Sequence, residues 1–273
     1  MKVRLEPMEL TATYGHGTEN DFVLFYDPND EIAISADQVR GICDRKSGVG
    51  ADGLIRITKR EKRWFMDYRN SDGSIAEMCG NGIRVMARYL VDRGLESAGI
   101  FSISTRDGNK FLKVPEEGDI SVNLGQVSQV PGEVSATQNG KRFVGLNIDV
   151  GNPHAVLFVD SLDDVGSLEA APLVEPVEEY PEGVNVEFVE FLENGELRMR
   201  VFERGSGETK SCGTGTCAVA LAAAIKTGKR APLSWVINAP GGRLIVDIDA
   251  HYNATLTGPA VLLRDFDLDP YLS

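Results

Sequence analysis

This chain is poor in the residues that mark a metalloprotein, a disulfide scaffold or a nucleic-acid binder. Its three histidines, His16, His154 and His251, lie far apart, and none of its four cysteines forms a Cys-x-x-Cys pair. A zinc site needs such ligands at close spacing and a dithiol redox centre needs paired cysteines, so neither is expected. Four cysteines in 273 residues also fall short of a disulfide framework. Basic residues are outnumbered, 28 against 41 acidic. The resulting net charge of −13 argues against nucleic acid and anionic membranes as partners, since both attract cations. The longest apolar run, residues 217–225, is too short to cross a bilayer. Residues 1–6 (MKVRLE) lack the apolar stretch of a signal peptide. A cytoplasmic protein of ordinary globular composition is expected, long enough for two domains of about half its length.

What is present is a motif in duplicate. Cys79-Gly80-Asn81-Gly82 and Cys212-Gly213-Thr214-Gly215 each precede a helix-like segment, and 133 residues separate the two cysteines (212 − 79). Glycines at a helix start let a ligand approach the free backbone N–H groups, and these together with the helix dipole favour an anion. That anion is either a thiolate or a substrate carboxylate. The alternative is that cysteine merely packs well beside glycine, and this weakens when the motif recurs at equivalent places. Further matches follow in order with small shifts: Val23-Leu24-Phe25 on Val156-Leu157-Phe158, Asn20 near Asn152, Gly48-Val49-Gly50 near Gly183-Val184-Asn185, and Met66 on Met199. An internal duplication accounts for all of them.

Residues 21–26, 54–58 and 64–68 read as strands, and 37–45 as a short helix. Ile83, Met86, Ala87 and Leu90 share one helical face, with Gly94 as the stop. The counterpart, 216–227, stops at Gly228 and has no polar face over Ala218–Ala222, so it is expected to be buried on all sides. Each half is therefore strands wrapped on one central helix. The halves divide as 1–125, carrying Cys79, and 126–273, carrying Cys212, with the tail from about 260 packing back on the first. The polar segment 126–142 reads as a linker, and acidic 160–183 as a surface excursion.

Other candidates separate by context. Gly48-Val49-Gly50-Ala51-Asp52-Gly53 fits G-x-G-x-x-G, but a helix precedes it and a strand follows, the reverse of a dinucleotide-binding turn. Cys43 and Cys217 lack the glycine setting and read as core. Asn20, Asn70, Asn152 and Asn185 sit at strand ends, where asparagine is commonly a turn residue. Gathered by the duplication around two helix N-termini, they instead look like ligands for a substrate bearing ammonium and carboxylate groups. Glu203 can accept from an ammonium and Arg204 can clamp a carboxylate, or the two can be a surface ion pair.

Taken together, Thr18-Glu19-Asn20-Asp21-Phe22, Asn70-Ser71-Asp72-Gly73-Ser74, Met78-Cys79-Gly80-Asn81-Gly82, Gly151-Asn152-Pro153-His154, Gly183-Val184-Asn185, Glu203-Arg204-Gly205 with Gly207-Glu208-Thr209, and Cys212-Gly213-Thr214-Gly215 resemble the diaminopimelate epimerase family. The match runs through nearly the whole chain in order. The resemblance implies an α+β fold of two pseudo-symmetric α/β domains, each a mixed, largely antiparallel sheet around a central helix, with the active site between them. It also implies interconversion of L,L- and meso-diaminopimelate for lysine and peptidoglycan precursors, without pyridoxal phosphate or any other cofactor. By that resemblance Cys79 and Cys212 are the acid/base pair. Asn20, Asn70, Asn152, Asn185, Glu203 and Arg204 hold the substrate, Gly80-Asn81 and Gly213-Thr214 hold the carboxylate at the reacting carbon, and His154 supports the site. A homodimer is also implied. Three positions depart from the family pattern. Glu19 puts a charge near the site entrance. Gly53 stands where many members have a substrate-contacting glutamine, and Arg264 where some have a tyrosine implicated in dimer contacts.

The chemistry expected is demanding. Roughly ten pKa units separate an α-carbon proton from a free thiol, a gap of about 14 kcal/mol, while a helix end contributes about 0.3–2 kcal/mol. Contact between thiolate and α-carbon, exclusion of water and hydrogen bonds to the developing enolate must supply the rest. The competing classes are another two-cysteine racemase of the proline racemase type, a non-catalytic amino-acid-binding protein on the same fold, and a redox thiol protein. Turnover of proline, absence of α-proton exchange and the missing Cys-x-x-Cys respectively discriminate them.

Overall fold

The structure, a computed structural model, describes residues 10–272. The chain begins with β1 (Thr11–Gly17), β2 (Asn20–Tyr26), α1 (Ala36–Cys43), β3 (Gly53–Arg60), β4 (Arg63–Asn70), α2 (Gly80–Asp92), β5 (Gly99–Thr105), β6 (Gly108–Val114) and β7 (Ile120–Gln126). It continues with β8 (Ser128–Gln138), β9 (Lys141–Asp149), β10 (Pro153–Phe158), β11 (Leu173–Glu175), β12 (Asn185–Phe191), β13 (Leu197–Glu203) and β14 (Gly207–Thr209). Then come α3 (Gly213–Thr227), β15 (Leu233–Ala239), β16 (Gly242–Ile248), β17 (Asn253–Gly258) and β18 (Val261–Asp267).

The duplication is written in the strand pairing. From β1 to β7 successive partners alternate: β1–β2 antiparallel, β2–β3 parallel, β3–β4 antiparallel, β4–β5 parallel, then β5–β6 and β6–β7 antiparallel. The same sequence of orientations recurs from β9 through β10, β12, β13, β15, β16 and β17. β7 and β17, which occupy equivalent places, pair with each other and join the halves. The outer partner of β9 is β8, whereas the outer partner of β1 is β18, so the last strand of the chain completes the first half. The result is a mixed, mainly antiparallel sheet around two central helices.

α2 begins at Cys79, whose extended backbone (φ −136°, ψ 118°) and side chain occupy the N-cap position, and ends before Gly94 at φ +65°. α3 begins in the same way at Cys212 and ends at Gly228, φ +69°. As its composition predicts, α3 is buried from Thr216 to Ala224. α2 differs from the reading: not one face but every residue from Gly80 to Leu90 is buried, Arg84 and Arg88 included. β1 and β18 close over the side that looks polar in sequence. Arg88 tolerates this by donating to the carbonyls of Pro115, Glu116 and Gly118 at 3.0, 2.8 and 3.0 Å, while its stem packs.

Two expectations are corrected. The polar segment 126–142 is not a linker; it forms β8 and the start of β9, with a bulge between Val130 and Glu133 around Pro131-Gly132. β11 pairs with β8 only at residues 135–137, so the stretch around Pro131 has one side with no ladder to fill and tolerates proline and polar residues. Segment 160–183 is more than a surface excursion. Leu162, Val165, Leu168 and Tyr180 are buried against Val134, Ala155, Leu157 and Phe188, a satellite core outside the main one.

Candidate active site

The two thiol-bearing helix starts meet head to head. A methyl group built on Gly213 would lie 3.2 Å from the Gly80 Cα, and one built on Gly80 would lie 3.5 Å from the Gly213 Cα. A side chain at Gly213 would press on the Gly80 backbone, whereas a methyl group at Gly80 would meet Gly213 at van der Waals distance. In each half the cysteine sulfur accepts from the N–H three residues on: Gly82 N to Cys79 Sγ and Gly215 N to Cys212 Sγ, both 3.4 Å. Two positive helix ends facing one another leave a gap that favours an anion.

On the first side, the Cys79 thiol faces Asn20 Oδ1 at 3.6 Å, and Asn81 Nδ2 reaches the same oxygen at 3.2 Å and Ser211 O across the gap at 3.0 Å. Asn20 is itself held by Asp52 Oδ2 at 2.7 Å. Asp52 is the acidic residue of the rejected glycine motif, and Arg45 ties it to Asp21. Asn70 ends β4 opposite Gly53 and donates to Ser74 Oγ at 3.0 Å. On the second side, Asn152 Oδ1 lies 3.0 Å from His154 Nε2, and Asn152 Nδ2 lies 3.5 Å from Thr214 Oγ1. His154 Nδ1 lies 2.7 Å from Glu187 Oε1, both residues fully buried. Asn185 Oδ1 accepts the Arg204 N–H at 3.1 Å, and Thr209 donates to Glu203. The structure thus gathers Asn20, Cys79, Gly80 and Asn81 at one helix start. Asn152, His154, Cys212, Gly213 and Thr214 gather at the other, with Glu203 beside Cys212. Arg204 is only partly buried, its guanidinium 3.8 Å from Glu182.

The electrostatics correct the simplest reading of a thiol at a helix N-terminus. Burial pushes the Cys79 thiol up to about 11, with the Glu203 charge adding to the rise and the Gly82 N–H and Arg84 opposing it. Cys212 lies well above its ordinary range, raised by burial and then by the Glu203 and Glu187 carboxylates. The helix contribution is present in both but is outweighed, since desolvation of a charge can exceed a helix end by several units. Burial likewise raises Glu203. Arg84, fully buried, bonds Gly80 O at 3.1 Å with Nε and Nη2 unpartnered, and burial lowers it to about 10.

Several site residues escape the sequence reading. Glu187 follows Asn185 by two on β12 and so shares its face, a signal that strand periodicity offers. Asp52 was visible inside the glycine motif, but only the parallel pairing of β2 with β3 brings it to Asn20. Ser211 and Thr18, joined at 2.9 Å across the halves, carry no signal in sequence. Cys43 and Cys217 are buried, away from the gap.

The duplicated fold, a sheet wrapped on one central helix in each half, defines a structural class. A phenazine biosynthesis protein of the PhzF family from Bacillus anthracis shares the fold at a TM-score of 0.76, with 15% identity, covering 95% of this chain and 99% of that one. A hydroxyproline epimerase from Agrobacterium vitis with bound trans-4-hydroxy-L-proline superposes at 0.69, with 14% identity, covering 95% and 93%. Within this class, the model of the family described as diaminopimelate epimerase matches residues 12–130 and 146–263. The diaminopimelate epimerase of Streptomyces coelicolor is 42% identical over 93% of this chain and 94% of its own. That of Rhodococcus jostii is 45% identical over 93% and 96%. The chain belongs to the diaminopimelate epimerase family.

Proposed function

We propose that the protein interconverts L,L- and meso-2,6-diaminopimelate by a two-thiol proton transfer without a cofactor. The observation that carries this reading is the head-to-head contact of the two cysteine-capped helices at Gly80 and Gly213, in a chain of this family. The α-carboxylate fits the gap between the helix starts, where the backbone N–H groups of Gly80-Asn81 and Gly213-Thr214 stabilise it as it gains enolate character. One cysteine, as thiolate, removes the α-proton and becomes a thiol. The other, a thiol, delivers its proton to the opposite face and becomes the thiolate, so the roles exchange with direction.

The raised thiols fit such a device. A buried thiolate is a stronger base than one in water, and the cost of forming it falls when the substrate's ammonium enters beside it. Asn20, Asn70, Asn152, Asn185, Glu203 and Arg204 are assigned to the substrate. His154 is assigned to hold Asn152 in place through the Glu187 pair. Residues 1–125 and 126–273 are assigned as the two halves, a division supported by the end of β7 at Gln126 and the return of β18 to β1. A cytoplasmic homodimer supplying lysine and peptidoglycan precursors completes the reading.

The test is incubation with L,L-diaminopimelate in D₂O under reducing conditions with no added cofactor. Deuterium is expected at one α-carbon only, with proline left unchanged. Cys79→Ser and Cys212→Ser are each expected to stop epimerisation. Undiminished turnover in either variant would refute the two-thiol scheme.

A further inference from the structure

Tyr68 carries an unassigned polar group at this site. It lies on β4, two residues before Asn70, and only 7% of its surface is exposed. Its ring lies against Gly53: a methyl group built there would lie 2.5 Å from Tyr68 Cε2, 2.6 Å from the Arg69 carbonyl oxygen and 3.0 Å from the tyrosine hydroxyl. Gly53 follows Asp52, the anchor of Asn20, and pairs with Phe22 on β2 and Asn70 on β4. The tyrosine hydroxyl therefore ends among the residues that surround the Cys79 thiol.

Among the described residues this hydroxyl has no hydrogen-bond partner. The ring needs none, since it packs edge-on against Phe22 with centroids 5.9 Å apart, and phenylalanine would pack equally well. The hydroxyl itself keeps accessible surface although its ring is covered, so a bound molecule can reach it. Burial and the negative charges of Cys79 and Glu203, one from each half, hold it well above its ordinary range, so it stays a protonated donor.

We propose that the Tyr68 hydroxyl hydrogen-bonds the bound amino acid. This rests on the epimerase reading, and it supplies a binding group beside Gly53, which has no side chain of its own.

The test compares steady-state kinetics on L,L-diaminopimelate for the parent, Tyr68→Phe, Gly53→Ala and the double variant, alongside their unfolding temperatures. Tyr68→Phe should unfold at the parent temperature and raise KM about tenfold, the worth of one hydrogen bond to a charged group, with kcat within about threefold. Gly53→Ala should raise KM by displacing the ring, and the double variant should be no worse than the poorer single one. Parent-like kinetics in Tyr68→Phe would overturn the inference, as would a loss confined to kcat, which would assign the hydroxyl to the thiol instead. A parent without turnover would refute the epimerase reading itself, a result distinct from an active parent with an unaffected Tyr68→Phe.

Discussion

At Cys79 and Cys212, burial and the helix N-terminus pull the same proton in opposite directions, and burial wins. The two thiols are not equivalent. Cys79 is partly exposed and has Arg84 among its neighbours, whereas Cys212 is buried beside the Glu203 and Glu187 carboxylates. A thiolate is the reactive form, so alkylation by iodoacetamide is expected to climb with pH through 9 without a plateau, because the Cys79 thiol stands at about 11. Mass spectrometry should find Cys79 modified before Cys212; a plateau near pH 7 would mean that the helix end dominates after all. Asp52 acts one step behind the thiol. Asp52→Ala frees Asn20 and one arm of Arg45 and is expected to lower kcat/KM about tenfold, in line with the loss of a charge-assisted hydrogen bond. Steady-state assays check it, and Asp52→Asn should recover part of the loss.

Among the elements, the β1–β2 hairpin carries backbone strain next to the site. Its two turn residues, Thr18 and Glu19, both adopt positive φ (51° and 58°), a conformation that a two-residue hairpin requires and that Asn-Gly usually supplies. The turn presses on the second half: a methyl group built on Gly241 would lie 1.9 Å from Thr18 O, and Thr18 bonds Ser211. Asn20 follows directly, so the strained turn sets one ligand of the site against the other half. Glu19 is exposed, with only its Cβ beside Gly241. Glu19→Gly is expected to stabilise the protein by about 0.5–1 kcal/mol, read as a higher urea midpoint. Elements of this kind were legible in sequence where the signal was local. Glycine stops and cysteine caps bounded α2 and α3, and apolar runs bounded by turn residues marked β2, β3 and β4. Strand β8 was not legible, because a polar, proline-containing strand and a linker share a composition.

In the molecule as a whole, the chain closes on itself through β18. Thr13 donates to Asp265 at 2.6 Å, Arg93 pairs with the same carboxylate, and Leu268 is fully buried in the core beneath α1. Removing residues 260–273 uncovers β1 and the side of α2 that carries Val85 and Arg93. Loss of buried Leu268 with half-buried Leu262 and Phe266 corresponds to about 3–6 kcal/mol, so the unfolding temperature should fall by roughly 10 °C or more. Calorimetry or recovery in the insoluble fraction reads the outcome.

The sequence by itself determined the duplication, the two cysteine-glycine turns and the residue types of a site for a charged amino acid, because each depends on neighbours within a few positions or on a fixed repeat. Tertiary structure decided how those parts act on one another. It brought Gly80 to Gly213, Asp52 to Asn20, Glu187 to His154 and the Tyr68 ring to the empty side of Gly53, contacts made across strands far apart in the chain. It also reversed the expected balance at the thiols. Burial is set by what the rest of the fold lays over a residue, and a helix end that favours a thiolate in sequence terms cannot offset the loss of water around both cysteines.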